Sequence, residues 1–327
     1  MVVSYDSIMK PPYSITNNIL KLISSISMKL GEVNSLHVVA PKPQLRKKNR
    51  IRTIKASLEI EGNSLTEEQI TAILENKRVI APEKDILEVK NAIKAYDKIR
   101  DFNPYDIKSF LIAHKILMKG LVDNPGKLRS KSVGIFKGDE VSHIAPPAKN
   151  LQKLMEDLFS YLKKSDDHLL IKSCVAHYEI EFIHPFLDGN GRMGRLWQSI
   201  LLLKESNVFE FLPFETIIKE RQSEYYTVLE KSDKSGESTE FIEFMLNSIN
   251  DSLEKLLDVQ NLNLTTKERV DYYSSVWTGG SFTRKDYMNE FKDISTSTAS
   301  RDLKYGVENK LFEKVGEKRN TVYRIAN

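Results

Sequence analysis

The sequence predicts a mainly α-helical fold with one small β-hairpin and a separate C-terminal domain. Apolar residues recur at three- and four-residue intervals through most of the 327-residue chain, which is the spacing that gives a helix one buried face. Short runs typical of β-strands occur at 133–144 and again beyond position 311. A polar stretch at 257–265 is the predicted linker between the two parts.

The composition indicates a soluble protein of the reducing cytoplasm. Hydrophobic residues make up 40% of the chain and charged residues 29%, and no apolar run approaches the roughly eighteen residues of a membrane span. The N-terminus lacks the basic and apolar regions of a signal peptide. Cys174, the single cysteine, excludes an internal disulfide and a cysteine metal cluster. The net charge of +4 is too small to indicate nucleic-acid binding by itself.

Residues 1–100 are expected to form an N-terminal helical region. One helix is predicted within residues 1–40, followed by a proline-containing linker and a basic run typical of a solvated face. In the next helix, at 51–62, Ser57 and Glu61 project to one side because they are four residues apart. The glycine that ends this helix suits a left-handed cap.

The helical pattern continues through the middle of the chain, with a capping box at Thr66 and Gln69. His114 lies among apolar neighbours, which favours a core histidine over a metal ligand. Further helices are predicted near 66–75, 84–101, 104–117, 151–162, 168–182, 195–205 and up to Leu256.

Residues 131–145 interrupt the helices with a predicted β-hairpin. Two β-prone runs flank a polar Lys-Gly-Asp-Glu turn, and the second run consists of Val141, Ser142, His143 and Ile144. The edge of such a strand can hold an extended peptide by β-augmentation. His143 is either a contact for that peptide or an ordinary polar strand residue.

Residues 184–195, HPFLDGNGRMGR, form a turn suited to phosphate. Gly189, Asn190 and Gly191 can adopt conformations in which successive backbone N–H groups point inward as an anion nest. The sequence then becomes apolar and helical, so the turn should open a helix whose N-terminus favours an anion.

The same turn carries ionisable side chains for phosphate chemistry. His184 has an ordinary pKa near neutrality and can take a proton from an attacking hydroxyl. Asp188 is a hard oxygen ligand suited to Mg²⁺. Arg192 and Arg195 are three residues apart, so both can face one site and bind phosphate oxygens.

This turn resembles the signature of the Fic family, HPFx(D/E)GNGRxxR, at every specified position, and the flanking chain resembles that family from about 40 to 245. The resemblance implies a Fic-type helical bundle with its catalytic core at 101–256 and the hairpin as a flap that holds the target protein. It also implies transfer of AMP from ATP, with Mg²⁺, to a Ser, Thr or Tyr hydroxyl. His184 would be the base, and Gly189 to Arg195 would bind ATP.

The helix at 51–62 resembles the family's inhibitory motif, (S/T)xxxE(G/N), at Ser57 to Gly62. The resemblance implies that Glu61 pairs with Arg195 in the place of the ATP γ-phosphate, because a carboxylate and a phosphate repel each other at one guanidinium. Glu61 acting as a base for removal of AMP, and transfer of another phosphate-containing group, both remain open. Self-modification and a homodimer are also expected.

Tyr225 and Tyr226 follow Arg221 in an RxxxYY pattern that resembles the segment flanking the nucleotide base in family members. Stacking on adenine would explain aromatic side chains at this place. Either tyrosine is equally compatible with a place in the core.

Residues 265–327 predict a winged helix-turn-helix domain. A short helix near Thr283, a helix at 295–309 and two strands at 311–315 and 321–325 give the pattern helix, helix, hairpin. Twelve Lys or Arg against nine Asp or Glu leave a net charge of +3. Binding of DNA and contact with a protein are both open, and a DNA-binding regulator with a nucleotide-sensing Fic domain is the alternative function. Candidate groove contacts are Thr296, Ser297, Ser300, Arg301 and Lys304, with Lys318 and Arg319 on the wing.

Overall fold

The computed structural model describes residues 10–36, 43–131, 134–137, 140–263, 265–277, 279–291, 294–316 and 321–326. The chain divides into two compact units. One comprises Met1–Leu30 with Pro41–Ser252, and the other comprises Gly31–Ala40 with Leu253–Asn327. Residues 43–100 therefore share a unit with the predicted catalytic core. Each described helix is too short or too polar to cross a membrane.

The mainly helical fold predicted from the sequence is confirmed. Up to position 263 the elements are α1 (Asn17–Leu36), α2 (Pro43–Ile60), α3 (Glu67–Leu74), α4 (Glu83–Asp97), α5 (Ile107–Leu117), β1 (Gly134–Lys137), β2 (Glu140–Ile144), α6 (Leu151–Lys164), α7 (Leu169–Ile183), α8 (Asn190–Leu202), α9 (Phe214–Glu220), α10 (Gln222–Ser235) and α11 (Thr239–Asn263). Beyond it lie α12 (Thr266–Val276), β3 (Ser281–Phe282), α13 (Arg284–Glu290), α14 (Thr296–Glu308), β4 (Phe312–Val315) and β5 (Val322–Ile325).

Helix α2 begins eight residues earlier than the sequence pattern predicted, at Pro43 rather than 51. Proline is favoured in the first turn of a helix, where its missing N–H has no partner to lose. The apolar period was hidden because the buried side of α2 includes the polar residues Asn49, Thr53 and Ser57. The basic run that follows the predicted linker therefore lies within the helix.

The end of α2 has the geometry of a Schellman motif. Gly62 adopts a φ of 93°, and its N–H donates to the carbonyl of Glu59 at 3.1 Å. The N–H of Asn63 donates to the carbonyl of Leu58, also at 3.1 Å. This pattern fixes the last residue before the glycine as the helix cap. The predicted left-handed cap is confirmed, and it holds Glu61 at a defined position.

Helices α7 and α8 form the centre of the first unit and enclose the predicted phosphate-binding turn between them. Both helices are buried on nearly every side. Trp197 of α8 is fully buried and meets Phe110 of α5 edge to face, with ring centroids 5.1 Å apart. Phe186 of the turn stacks on Phe110 at 5.4 Å. The turn is thus anchored in the aromatic core.

Strands β1 and β2 form the predicted antiparallel hairpin, with Lys137 paired to Glu140 next to the turn and a bulge between Ile135 and Phe136. The side chains of Val141, Ser142, His143 and Ile144 lie outside the described part of the chain, so their role as target contacts stays a prediction.

The second unit has its own core. Strands β3, β5 and β4 lie side by side in that order as an antiparallel sheet. Inside the core, Arg269 of α12 forms a two-pronged ion pair with Asp302 of α14, at 2.5 and 3.0 Å. The side chains that fill this core are Val270, Tyr273, Phe282, Tyr287, Phe291, Ala299, Leu303 and Phe312.

The buried ion pair predicts a large loss of stability when one partner is removed. We expect Asp302→Ala to lower the free energy of unfolding by about 3–5 kcal/mol, because the buried charge of Arg269 would lose the carboxylate that compensates it. Asp157→Ala breaks the ion pair with the exposed Lys153 and is expected to change stability little. Urea titrations of the three proteins measure both effects. Equal losses in the two variants would contradict the assignment.

Candidate active site

His184 caps the end of α7 in a left-handed conformation, with φ 50° and ψ 59°. Its N–H donates to the carbonyl of Ile180 at 3.1 Å. Such a conformation is uncommon for a non-glycine residue and concentrates at functional sites. Nδ1 lies 3.4 Å from the carbonyl oxygen of Glu181. Since a carbonyl can only accept, this contact places the proton on Nδ1 and leaves Nε2 as the basic nitrogen.

Arg129 holds this conformation, although the sequence did not single it out. It is buried, and its guanidinium donates to four backbone carbonyls, those of His184 (2.7 Å), Lys131 (2.8 Å), Pro146 (2.6 Å) and Ile183 (3.3 Å). Burial lowers the pKa of Arg129, and no carboxylate is among these partners. Because Lys131 and Pro146 flank the hairpin, one side chain ties the base of the flap to His184.

Asn190 fixes the shape of the turn from inside. Its side chain accepts from the N–H of Phe186 and donates to the carbonyl of the same residue, both at 2.9 Å. These contacts leave its backbone N–H, at the start of α8, as the group that can meet a phosphate. Gly189 precedes it with a φ of 89°, and a Cβ there would lie 2.7 Å from Sδ of Met118. No side chain caps α8 in the described structure, as an anion site requires.

His114 supports the turn from below, as a satisfied core histidine. Nδ1 accepts from the N–H of Gly126 at 2.8 Å, so Nε2 carries the proton and donates to the carbonyl of Asp188 at 3.0 Å. The ring stacks on Phe186 with centroids 3.5 Å apart. Burial lowers the pKa of His114 to about 4, which keeps the imidazole neutral near pH 7.

Asp188 and Arg192 meet at the mouth of the turn, together with Glu88 of α4. Nη2 of Arg192 lies 2.8 Å from Asp188, and Nη1 lies 2.9 Å from Glu88. Glu88 also accepts from the side chain of Asn63, just beyond the end of α2, at 2.9 Å. Sequence reasoning missed Glu88 because it lies more than a hundred positions from Arg192 and in an ordinary helical pattern.

The carboxylate of Asp188 is 48% exposed, and its oxygen chemistry suits Mg²⁺. No group of three or more His, Cys, Asp or Glu side chains is placed to hold a metal within the described ranges. A magnesium ion at Asp188 would therefore depend on phosphate oxygens and water for its remaining ligands.

Arg195 is fully buried and binds α2. Its Nε donates to Oγ of Ser57 at 3.1 Å and its Nη2 to the carbonyl of Ser57 at 2.9 Å. Nη2 also lies 2.6 Å from Oε1 of Glu61. Burial lowers the pKa of the guanidinium, but Glu61, Tyr225 and Glu181 together raise it, so the pKa stays above its usual range.

Glu61 also lies against the glycine turn itself. A Cβ on Gly191 would be 2.5 Å from Oε1 of Glu61 and 3.1 Å from Nη1 of Arg195. The carboxylate thus occupies the place where a backbone nest and a buried arginine converge. Nη1 has no hydrogen-bond partner among the described residues, so it is a donor that a further acceptor could use.

Tyr225 does not present the exposed ring that stacking on adenine requires. It is 1% exposed, and its hydroxyl donates to Oε1 of Glu181 at 3.0 Å and lies 3.0 Å from Nε2 of His177. Burial raises its pKa well above the ordinary value. Tyr225 therefore belongs to the support of the site. Tyr226 is 42% exposed, and its contact with the base stays a prediction.

The sequence and the fold of this chain are both similar to those of one known family. A model of the Fic/DOC family matches residues 104–202. The crystal structure of a Fic family protein from Desulfovibrio desulfuricans G20 is 39% identical, covers 97% of this chain and 98% of that one, and superposes with a TM-score of 0.75. Fic-1 (residues 134–508) of C. elegans is 19% identical over 75% of this chain and 74% of its own, with a TM-score of 0.63, and shares the fold.

Among curated proteins, the protein adenylyltransferase Fic of Drosophila erecta is 29% identical over 249 residues. The match covers 72% of this chain and 47% of the fly protein. The chain thus spans about half the length of the curated relatives it matches.

The neutral state of His114 predicts a pH dependence of stability. Its pKa is lowered from 6.5 to about 4, so the unfolded chain binds more protons between these values. The contribution of neutral His114 to the free energy of unfolding is complete above pH 6.5. It is lost as the pH falls towards 4, and the loss amounts to up to about 3 kcal/mol.

Urea unfolding between pH 7.5 and about 4.5 should therefore bring wild type and His114→Gln closer together in stability as the pH falls. Burial raises the pKa of Glu179 and of Glu215 to about 7, which acts in the opposite direction but equally in both proteins. A constant difference between wild type and variant would show that His114 does not stay neutral.

Proposed function

The chain belongs to the Fic family, and from this premise we propose that it transfers AMP from ATP to a Ser, Thr or Tyr hydroxyl of a protein. The observation that carries the proposal is the turn at 184–195. It brings a left-handed histidine, an uncapped helix N-terminus and a buried arginine of α8 together in one short segment. A base, an anion nest and a fixed cation are what transfer of a nucleotidyl group needs.

In the proposed reaction, a target segment lies along β2 and brings its hydroxyl to Nε2 of His184. The histidine takes the proton while the hydroxyl oxygen attacks the α-phosphorus. The bond between the oxygen and the α-phosphorus forms, the bond to the bridging oxygen breaks, and pyrophosphate leaves. The amides of Gly189–Gly191 bind the charge that develops on the phosphate oxygens.

Asp188 is the residue that would hold Mg²⁺, whose charge would offset that of the phosphates. If Asp188 held Mg²⁺ instead of pairing with Arg192, Nη2 of Arg192 would be available for a phosphate oxygen. Glu88 keeps the guanidinium in place during this exchange, since it binds the other nitrogen. Arg195 is the proposed partner of the γ-phosphate.

Glu61 is the proposed inhibitor of this reaction. Its carboxylate lies 2.6 Å from Arg195, and a phosphate at the same guanidinium would meet it as a like charge. ATP could then bind only with its α-phosphate misaligned. The helix that carries Glu61 has other attachments, because Gln222 donates to the carbonyl of Ile60 at 3.0 Å. Movement of the Glu61 side chain alone is thus the less costly route to activation.

Removal of AMP from a modified protein is the second candidate activity. The closeness of Glu61 to the turn, 2.5 Å from a Cβ placed on Gly191, favours it, because a carboxylate there could orient a water towards the α-phosphate. The two activities make opposite demands on Glu61: its loss would increase transfer and abolish removal.

Transfer of label from ATP carrying radioactive α-phosphate tests the proposal, with Mg²⁺ and a cell lysate as a source of targets. We expect faint labelling by wild type, at least ten-fold more by Glu61→Gly and none by Glu61→Gly with His184→Ala. Ser57→Ala should give an intermediate increase, since it removes one neutral contact to Arg195 and leaves the carboxylate. Labelling of the chain itself would reveal self-modification.

The same proteins with label on the γ-phosphate serve as the control for transfer of a different group. Absence of α-label in every variant would rule out AMP transfer. Equal labelling by wild type and Glu61→Gly would be compatible with AMP transfer but would rule out inhibition by Glu61. Loss of AMP from a labelled protein, measured with wild type and Glu61→Gly, decides the second activity.

A further inference from the structure

The second unit has the element order of a DNA-binding module. From α12 the chain runs through strand, two helices and two strands, and the last strand lies between the other two in the sheet. The second and third helices, α13 and α14, are separated by a short loop, and α14 packs against both α12 and α13. In winged helix-turn-helix modules this third helix enters the major groove of DNA.

The two sides of α14 differ completely in character. Its buried side consists of Ala299, Asp302, Leu303 and Gly306, which face the core. The residues exposed along the opposite side are all polar: Thr296, Ser297, Ser300, Arg301, Lys304 and Glu308. A surface that docks on a protein usually has an apolar centre, and no exposed apolar residue lies on this helix.

The exposed face of α14 carries two cations, and a third from α13 lies beside it. Arg284, at the start of α13, donates to Oγ of Ser300 at 3.1 Å. Its guanidinium therefore lies beside the exposed hydroxyl groups of α14. Arg301 and Lys304 are both exposed, Asp302 between them is buried, and the exposed acid of the helix, Glu308, lies 3.6 Å from Lys304 at the C-terminal end. The N-terminal half of the face therefore combines hydroxyl groups with positive charge.

We propose that this face of α14 binds duplex DNA through the major groove. Serine and threonine hydroxyls can bond to base edges, an arginine can bind guanine with two hydrogen bonds, and lysine can contact phosphate. The proposal does not depend on AMP transfer, which uses residues of the first unit. Lys318 and Arg319, predicted on the wing, lie outside the described residues and are not part of the proposed surface.

Fluorescence anisotropy of the full-length chain with a labelled duplex pool of random sequence, about 30 base pairs long, tests the proposal over a range of salt concentrations. Arg301→Ala with Lys304→Ala is the test variant. Lys108→Ala with Lys267→Ala is the control, because it removes two exposed lysines from α5 and α12 and changes the net charge equally.

We expect wild type and control to bind at low salt with the same salt dependence. The test variant should bind at least ten-fold more weakly, and its slope of log K against log salt should be smaller by about one, for the phosphate that Lys304 no longer neutralises. Urea titrations of the two double variants should match that of wild type, which would show that both units remain folded.

Two results would overturn the proposal. Absence of binding at about 50 mM salt, or equal weakening in the test and control variants, would exclude a DNA site on α14. Self-association that the test variant abolishes, without DNA binding by wild type, would assign the face to a second copy of the chain instead.

Discussion

The buried guanidinium of Arg195 is the constraint on which the site depends. A fully buried charge costs several kcal/mol unless an anion accompanies it, so this position demands a negative partner at all times. Glu61 supplies that partner. It lies at the end of α2, outside the turn, and its carboxylate is 2.6 Å from the guanidinium of Arg195. In the proposed reaction the γ-phosphate would supply it instead. One requirement of the interior thus underlies both the proposed inhibition by Glu61 and its proposed release by the γ-phosphate.

The turn that faces Arg195 is held mainly by contacts to its own backbone. His114 holds the carbonyl of Asp188, Asn190 holds Phe186, and Arg129 holds the carbonyl of His184. Side chains from three separate parts of the chain thus fix the main chain of the turn and the left-handed conformation of His184. A turn that is already fixed would lose little conformational entropy when a substrate binds, so its groups would be positioned for the reaction in advance. Arg129 extends the same rigidity to the base of the flap.

The sequence was informative where chemistry depends on neighbouring positions. The glycines, histidine and arginines of 184–195 lie in one segment, and the spacing of Ser57 and Glu61 put both on the side of α2 that meets Arg195. Glu88, Arg129 and Glu181 escaped notice because their partners lie far away or are backbone carbonyls, which leave no residue pattern. The sequence left stacking on the base and a place in the core both open for Tyr225, because a tyrosine bonded in the core has the same sequence pattern as one that stacks on a base; the structure places Tyr225 in the core.

Competition for Arg195 is tested most directly by the affinities of ATP and ADP for wild type and Glu61→Gly, measured by titration calorimetry with Mg²⁺. If Glu61 occupies the place of the γ-phosphate, its removal should strengthen ATP binding about ten-fold or more and leave ADP binding nearly unchanged. An equal gain for both nucleotides would contradict the competition, since ADP has no γ-phosphate for Arg195 to bind.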